Sequence, residues 1–358
     1  MAQFRDPSLA ARLVDQIRRM TTREISLMEV CGTHTMAIFR TGIRSLLPHT
    51  IRLISGPGCP VCVTSQKEID MFISLAGMEG VIITTFGDLI RVPGSRSSLQ
   101  EERANGRDIR VVYSTLDAVK IAKQNPKKRV IFLGVGFETT APTIAASLMM
   151  AREMKLENFY AACAHKRVPP ALDALLKTPS VQINGFLLPG HVSVIIGEKA
   201  YRQVVETHRI PSVITGFEPM DILQGILALT IQVRSGEARL QNAYPRAVLP
   251  QGNLKAMSIL YQVFEHADAQ WRGIGVIPES GLKLREDFQR FDAFIQFDVS
   301  VDEPMEPKGC GCGQVLIGAI TPHQCPLFRS VCTPEEPVGP CMVSTEGTCA
   351  AYYRFSMD

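Results

Sequence analysis

The chain has 358 residues, 46% of them hydrophobic and 20% charged, enough apolar material for the cores of two or three domains and too much for wholesale disorder. Lys and Arg total 38 against 35 Asp and Glu, a net charge of +3. With no dense basic block, neither a nucleic-acid groove nor a polybasic membrane patch is expected. No apolar run reaches the ~20 residues of a spanning helix, and the first residues lack the apolar core of a secretion signal. The expectation is a cytoplasmic chain.

In chain order, an amphipathic helix is predicted over residues 8–20. Eight short, almost continuously apolar runs follow: Ile25–Val30, Ile51–Ile54, Val81–Phe86, Ile109–Tyr113, Val130–Val135, Asn158–Cys163, Ile183–Leu188 and Ser212–Thr215. Such runs suit strands buried on both faces of a parallel sheet. Helical patterns lie between them at Gln66–Ala76, Leu116–Gln124, Thr143–Lys155 and Pro170–Lys177, so the fold class is α/β. The basic segment Asn125–Arg129 punctuates the middle. It suggests two similar Rossmann-like domains of about four parallel strands each, over 24–125 and 126–227. A faint echo, Gly136-Phe137-Glu138-Thr139 against Gly216-Phe217-Glu218-Pro219, favours duplication. Residues 228–302 read as mainly helical, with Leu254–His266 the clearest stretch. A proline-rich, cysteine-rich tail from Glu303 reads as loops. Together they make a helical and loop C-terminal domain, 228–358, which the N-terminal helix is expected to join.

The ten cysteines fall in groups. Strand one runs into Cys31-Gly32-Thr33-His34 and strand two into Gly56-Pro57-Gly58-Cys59-Pro60-Val61-Cys62, the strand ends where parallel sheets place ligands. Cys59 and Cys62 stand before a helix whose N-terminal amides and dipole favour thiolates. Their spacing fits a redox dithiol or half of a zinc site. Ser65 with Glu68 fits a capping box, which starts that helix at residue 66. Cys31 and His34 suit either one soft or borderline metal or a nucleophile–base pair. Six further cysteines lie between Cys310 and Cys349. Cys325, Cys332, Cys341 and Cys349 lack the tight knuckles of zinc ribbons. Wide spacing with interleaved prolines favours a [4Fe–4S] cluster over zinc or disulfides, and two thiols are left over. Glu138 and Glu218 each read as a cap of the next helix, a proton relay or a metal-site partner, His191 as structural or functional, and Asp88 with Arg91 as a loop pair. Gly134-x-Gly136-x-x-Thr139 lacks the rest of a dinucleotide fingerprint.

The combination of CGTH (Cys31–His34), GPGCPVC (Gly56–Cys62), TTFGDLIRVPGS (Thr84–Ser95), GFETTAPT (Gly136–Thr143), LPGHVSVIIG (Leu188–Gly197), ITGFEPMD (Ile214–Asp221) and CTPEEPVGPCMVSTEGTCAAYY (Cys332–Tyr353) resembles the HypD family of hydrogenase maturation factors, from about residue 24 onward. The resemblance implies two similar α/β domains and a third carrying a [4Fe–4S] cluster. It implies a part in assembling the Fe(CN)2CO unit of [NiFe]-hydrogenases, with a small HypC-like chaperone and a HypE-like cyanide donor. On the same resemblance Cys31, with His34 beside it, holds the iron under construction. Cys59 and Cys62 are the redox-active pair, and Cys325, Cys332, Cys341 and Cys349 ligate the cluster. Electrons are then expected to pass from the cluster through Cys59/Cys62 to iron, with Glu138, Thr139 and Thr140 orienting ligands or handling protons. The expected protein is a redox-active assembly scaffold, monomeric and entering transient hetero-complexes. The rival expectations are a stand-alone iron–sulfur thiol–disulfide oxidoreductase acting on a protein partner, and a zinc-binding scaffold.

Overall fold

The computed structural model describes residues 6–356. Its strands are β1 (Ile25–Glu29), β2 (Ile51–Ser55), β3 (Val81–Thr85), β4 (Asp108–Val111), β5 (Arg129–Gly134), β6 (Phe159–Cys163), β7 (Gly185–Pro189), β8 (Ser212–Thr215), β9 (Leu240–Asn242), β10 (Phe264–Trp271) and β11 (Gly275–Leu284). All eight expected strands form, and the two central sheets are parallel throughout. One sheet has the order β2-β1-β7-β8-β9 and the other β4-β3-β5-β6. Both follow the doubly wound pattern in which the winding direction reverses beside the first strand. The reversal points are the β1/β7 gap in the five-stranded sheet and the β3/β5 gap in the four-stranded one.

The strands are shared out differently from the two consecutive sets of four expected from the sequence. The chain leaves the first sheet after β2, builds the whole second sheet, and returns at β7. Thus Ile83 of β3 pairs with Ile131 of β5, across the basic segment. Short all-apolar strands carry nothing that says which sheet they join. Asn125–Lys128 is a surface turn leading into β5, held by the Asn158 amide donating to the carbonyls of Ala122, Asn125 and Lys128. The fifth strand, β9, is three half-buried residues long, too short to leave a pattern.

The stretch expected to be helical up to residue 302 needs a second correction. The helix ends at Val263, and β10 and β11 form an antiparallel ribbon with a register shift between Ala267 and Ala269. Much of both strands is exposed or half-buried, so no clean two-residue alternation marks them. The N-terminal helix, Pro7–Met20, lies on the first sheet beside helix Pro219–Ser235, not on the cysteine-rich segment. Its Val14 and Ile17 enter a core with Leu27, Leu53, Leu187 and Val213. No helix among the described residues is long and apolar enough to cross a membrane.

The tail contains little regular structure beyond the short helices Cys312–Leu316, Pro340–Val343 and Thr348–Phe355. Aromatic and ionic contacts dock it on the first sheet. Tyr352 meets Phe39 edge to face at 4.8 Å. Arg44 stacks over both rings and donates to the Tyr352 hydroxyl at 2.9 Å. The same guanidinium lies 3.5 Å from Glu29, a fully buried carboxylate at the end of β1 that also accepts from Ser55.

Candidate functional site

The reversal point of the first sheet carries Cys31 after β1 and His191 after β7. Cys31 is the extended residue preceding helix Gly32–Arg40. The turn after β2 runs directly beneath it: Gly32 N–H donates to Gly58 O at 3.1 Å. A Cβ on Gly58 would overlap the Cys31 backbone, so only glycine permits this approach. One residue later comes Cys59, disulfide-bonded to Cys62. Both are buried, at 3% and 0% exposure. The Cys62 amide donates to Cys59 Sγ at 3.1 Å, placing Cys59 as the cap of the short helix Pro60–Val63. The capping box of Ser65 and Glu68 then starts helix Gln66–Gly77 as expected. Cys31 and the CPVC turn, far apart in sequence, therefore share one rim.

The Cys31 thiol is pushed up to about 11, by burial first and then by the Glu346 carboxylate, against hydrogen bonds from Thr33 and the His34 amide. Glu346 comes from the tail. Thr33 Oγ1 donates to its Oε1, and a Cβ on Gly32 would overlap its backbone. His34 is fully buried, with Nε2 2.9 Å from Gly216 O. Burial brings this imidazole down to about 4. The neutral ring must donate to that carbonyl through Nε2, which leaves an unprotonated Nδ1. That atom is buried without a partner, a lone pair able to ligate a metal. His34 and His191 both stack on Phe217, with ring centroids at 4.6 and 4.0 Å.

The echo motifs therefore diverge. Phe217 carries the imidazoles, whereas Phe137 stacks on Trp271 at 6.0 Å. Glu218 caps helix Pro219–Ser235 with Asp221. Glu138 instead accepts from Val168 N at 2.9 Å through Oε1, and its Oε2 is buried without a partner. Burial raises this carboxyl to about 7, where it can take or release a proton near neutrality. Tyr201, fully buried, feels the charges of both Glu138 and Cys31, and its hydroxyl meets Ser193 at 3.2 Å. Thr140 is the residue before helix Ala141–Glu153 and donates to Phe137 O at 3.3 Å. Thr139 beside it is half-buried.

All six tail cysteines gather into one nest. Thiol hydrogen bonds link Cys310 to Cys312, Cys312 to Cys341, and Cys341 to Cys349. Cys332 feels Cys310 and Cys325. Cys325 and Cys332 accept from the amides of Gly311 and Val338, each at 3.3 Å. Cys62 Sγ lies 3.8 Å from Pro340 O, next to Cys341, so the nest adjoins the CPVC turn. Among the described residues no three His, Cys, Asp or Glu side chains close on a point suited to one ion. A thiol-only set with amide donors to sulfur has the chemistry of an iron–sulfur site. Cys163 stands apart at the end of β6, beside Gly134.

Sequence reasoning missed Thr33, Glu346, Phe217 and Tyr201. They bear ordinary residue types and come together only through the fold. Asp88 and Arg91 do not pair. Asp88 accepts from Ser344 at 3.0 Å, and Arg91 donates to the carbonyls of Pro334 and Glu335, so the loop after β3 also grips the tail.

Residues 8–356 match the HypD family model, described as "Hydrogenase formation hypA family". Hydrogenase maturation factor HypD of Escherichia coli is 43% identical, over 99% of this chain and 97% of its own. Its namesake in Azotobacter vinelandii is 44% identical, over 99% and 96%. The chain belongs to the HypD family, whose work is hydrogenase maturation.

Proposed function

We propose that the protein holds iron at Cys31 while cyanide and carbonyl ligands are attached to it, as a scaffold for the Fe(CN)2CO unit of [NiFe]-hydrogenase. The carrying observation is the meeting of Cys31 with the Cys59–Cys62 pair across Gly58. Thiolate coordination suits low-spin iron bearing strong-field ligands. Cys31 is half-buried and a thiol at neutral pH, so it gives up a proton to the incoming cation. The bare Nδ1 of His34 and the Glu346 carboxylate are the further groups available to that cargo or to the released proton. Glu138, ionising near 7, is the proton store in the turn after β5, with Thr139 and Thr140 beside it. Cys59 and Cys62 store two electrons: the disulfide opens on taking two electrons and two protons.

In this reading Cys325, Cys332, Cys341 and Cys349 hold a [4Fe–4S] cluster, with Cys310 and Cys312 against it. When bound, the cluster supplies electrons singly. A HypC-like chaperone and a HypE-like cyanide donor are the proposed partners, in a cytoplasmic setting that keeps the other thiols reduced. The oxidoreductase reading is less well supported. An attacking sulfur must reach a protein substrate, and both Cys59 and Cys62 are buried.

The test is C31A, purified with its partners. Cyanide and carbonyl infrared bands should vanish; undiminished bands would remove Cys31 as the iron ligand.

A further inference from the structure

The loop after β8 reaches the helix that begins beyond Cys31 and holds one side chain there by two contacts. Gly216 O lies 2.9 Å from His34 Nε2. A carbonyl only accepts, so Nε2 carries the hydrogen. Nδ1, buried without a partner, is the nitrogen left for another atom. The ring of the next residue, Phe217, stacks on the His34 imidazole with centroids 4.6 Å apart and planes 29° apart. The carbonyl fixes the tautomer and the phenyl face fixes the plane of the ring. Cys31 is the cap of that helix and His34 its third residue, positions whose side chains stand together over the first turn.

The loop is itself held from behind. Asp221, fully buried, accepts from Arg246 through both carboxylate oxygens, with Nη1 at 2.8 Å. Its Oδ2 also accepts from Glu218 N at 3.3 Å, and its carbonyl accepts from Thr215 Oγ1 at 2.6 Å. A Cβ on Gly216 would overlap the Asp221 carboxylate and the Tyr244 ring, so only glycine lets this turn carry its carbonyl to His34. Tyr244 meets Phe217 edge to face at 6.5 Å, and Arg246 lies over Tyr244 at 4.4 Å. Capping a helix does not call for a phenylalanine so placed. The echo loop at Gly136 sends its Phe137 to Trp271 instead.

We propose that Phe217 is a positioning residue for the iron site: its ring face sets the plane of the His34 imidazole, so that Nδ1 is presented to a metal held by Cys31. This rests on the reading of Cys31 as the holder of cargo iron. Groups that orient a ligating imidazole from outside commonly change metal affinity about 10–100-fold when lost, because the metal must then order the ring itself. Phe217 supplies a flat face rather than bulk. An aliphatic side chain of similar size therefore does not replace it, whereas another flat ring does.

The test is equilibrium dialysis of the full chain against Co2+, a divalent stand-in for ferrous iron, with C31A as the blank. F217L should weaken the Cys31-dependent cobalt affinity about tenfold. F217Y, which keeps the ring face, should stay within about twofold of wild type. Phe217 is half-buried, and F217M takes the place of F217L if that variant does not fold. H34A should also weaken binding, and adding F217L to H34A should cost nothing more, since the ring that Phe217 orients is gone. A merely structural role would lower affinity in both backgrounds alike. Affinity unmoved by F217L, lost equally in F217Y, unmoved by H34A, or lowered as much by F217L with H34A as without it would overturn the role of Phe217. A wild-type protein that takes up no more cobalt than C31A would instead sink the reading of Cys31 as a metal holder.

Discussion

The cysteines at the strand ends and those of the tail are held by different means. Cys31, Cys59 and Cys62 are set by backbone: parallel strands end on a common rim, and Gly58 lets one turn lie against the next. The tail cysteines are set by attachment. Glu346 grips Thr33, Ser344 grips Asp88, Tyr352 sits under Arg44, and Arg91 holds Pro334 and Glu335. The first group has its geometry before anything binds. The second depends on its anchors, and the same anchors bring it to the first.

Breaking an anchor should therefore have the largest effect. R44M leaves Glu29 buried beside no cation, and loosens Tyr352 as well. Loss of a buried partner costs about 3–5 kcal/mol, and partial exposure of Arg44 places the expectation near the lower end, about 3 kcal/mol by denaturant unfolding. An unchanged midpoint would show that the tail does not rely on this contact.

Glu138, in the turn after β5, gives a pH signature of similar size. Glu138 binds its proton more tightly folded than unfolded, being raised from 4.5 to about 7. Between those values the native state carries the extra proton, so the stability this group lends is complete below about 4.5 and is lost as pH rises to about 7. E138Q should flatten that fall by about 3 kcal/mol, since each tenfold gain in proton affinity is worth about 1.4 kcal/mol. Melting curves from about pH 4.5 to about pH 8 that run parallel for the two proteins would refute it.

Two smaller changes sharpen the contrast from the strand-end side. G58A pushes a methyl group into the Cys31 backbone, an overpacking of about 2 kcal/mol. It should impair iron retention at Cys31 while leaving the tail's absorption intact. Equal loss of both would mean that the two groups do not stand independently. S65A removes the cap of the helix after Cys62, costing about 1 kcal/mol. A thermal shift much beyond a few degrees would mean that Ser65 does more than cap.

The strand-end group was legible in the sequence because apolar runs followed by Gly, Cys and His mark strand ends directly. Ser65 and Glu68 announced their helix as well. Sheet membership was not legible: β3 and β4 look no different from β1 and β2, and only pairing assigns them. The β10–β11 ribbon was hidden because its strands are only partly buried. Thr33 and Glu346 are 313 residues apart, and no local pattern predicts such a contact. The tail's six thiols could be counted but not arranged, because loops take their shape from what they touch.

One measurement tests the division most directly. C31A and C332S, purified alike, are compared by visible absorption with iron and sulfide content. C332S should lose the iron–sulfur absorption and C31A should keep it. Absorption retained in C332S, or lost equally in both, would contradict the assignment of resident cluster to tail and cargo iron to the strand end.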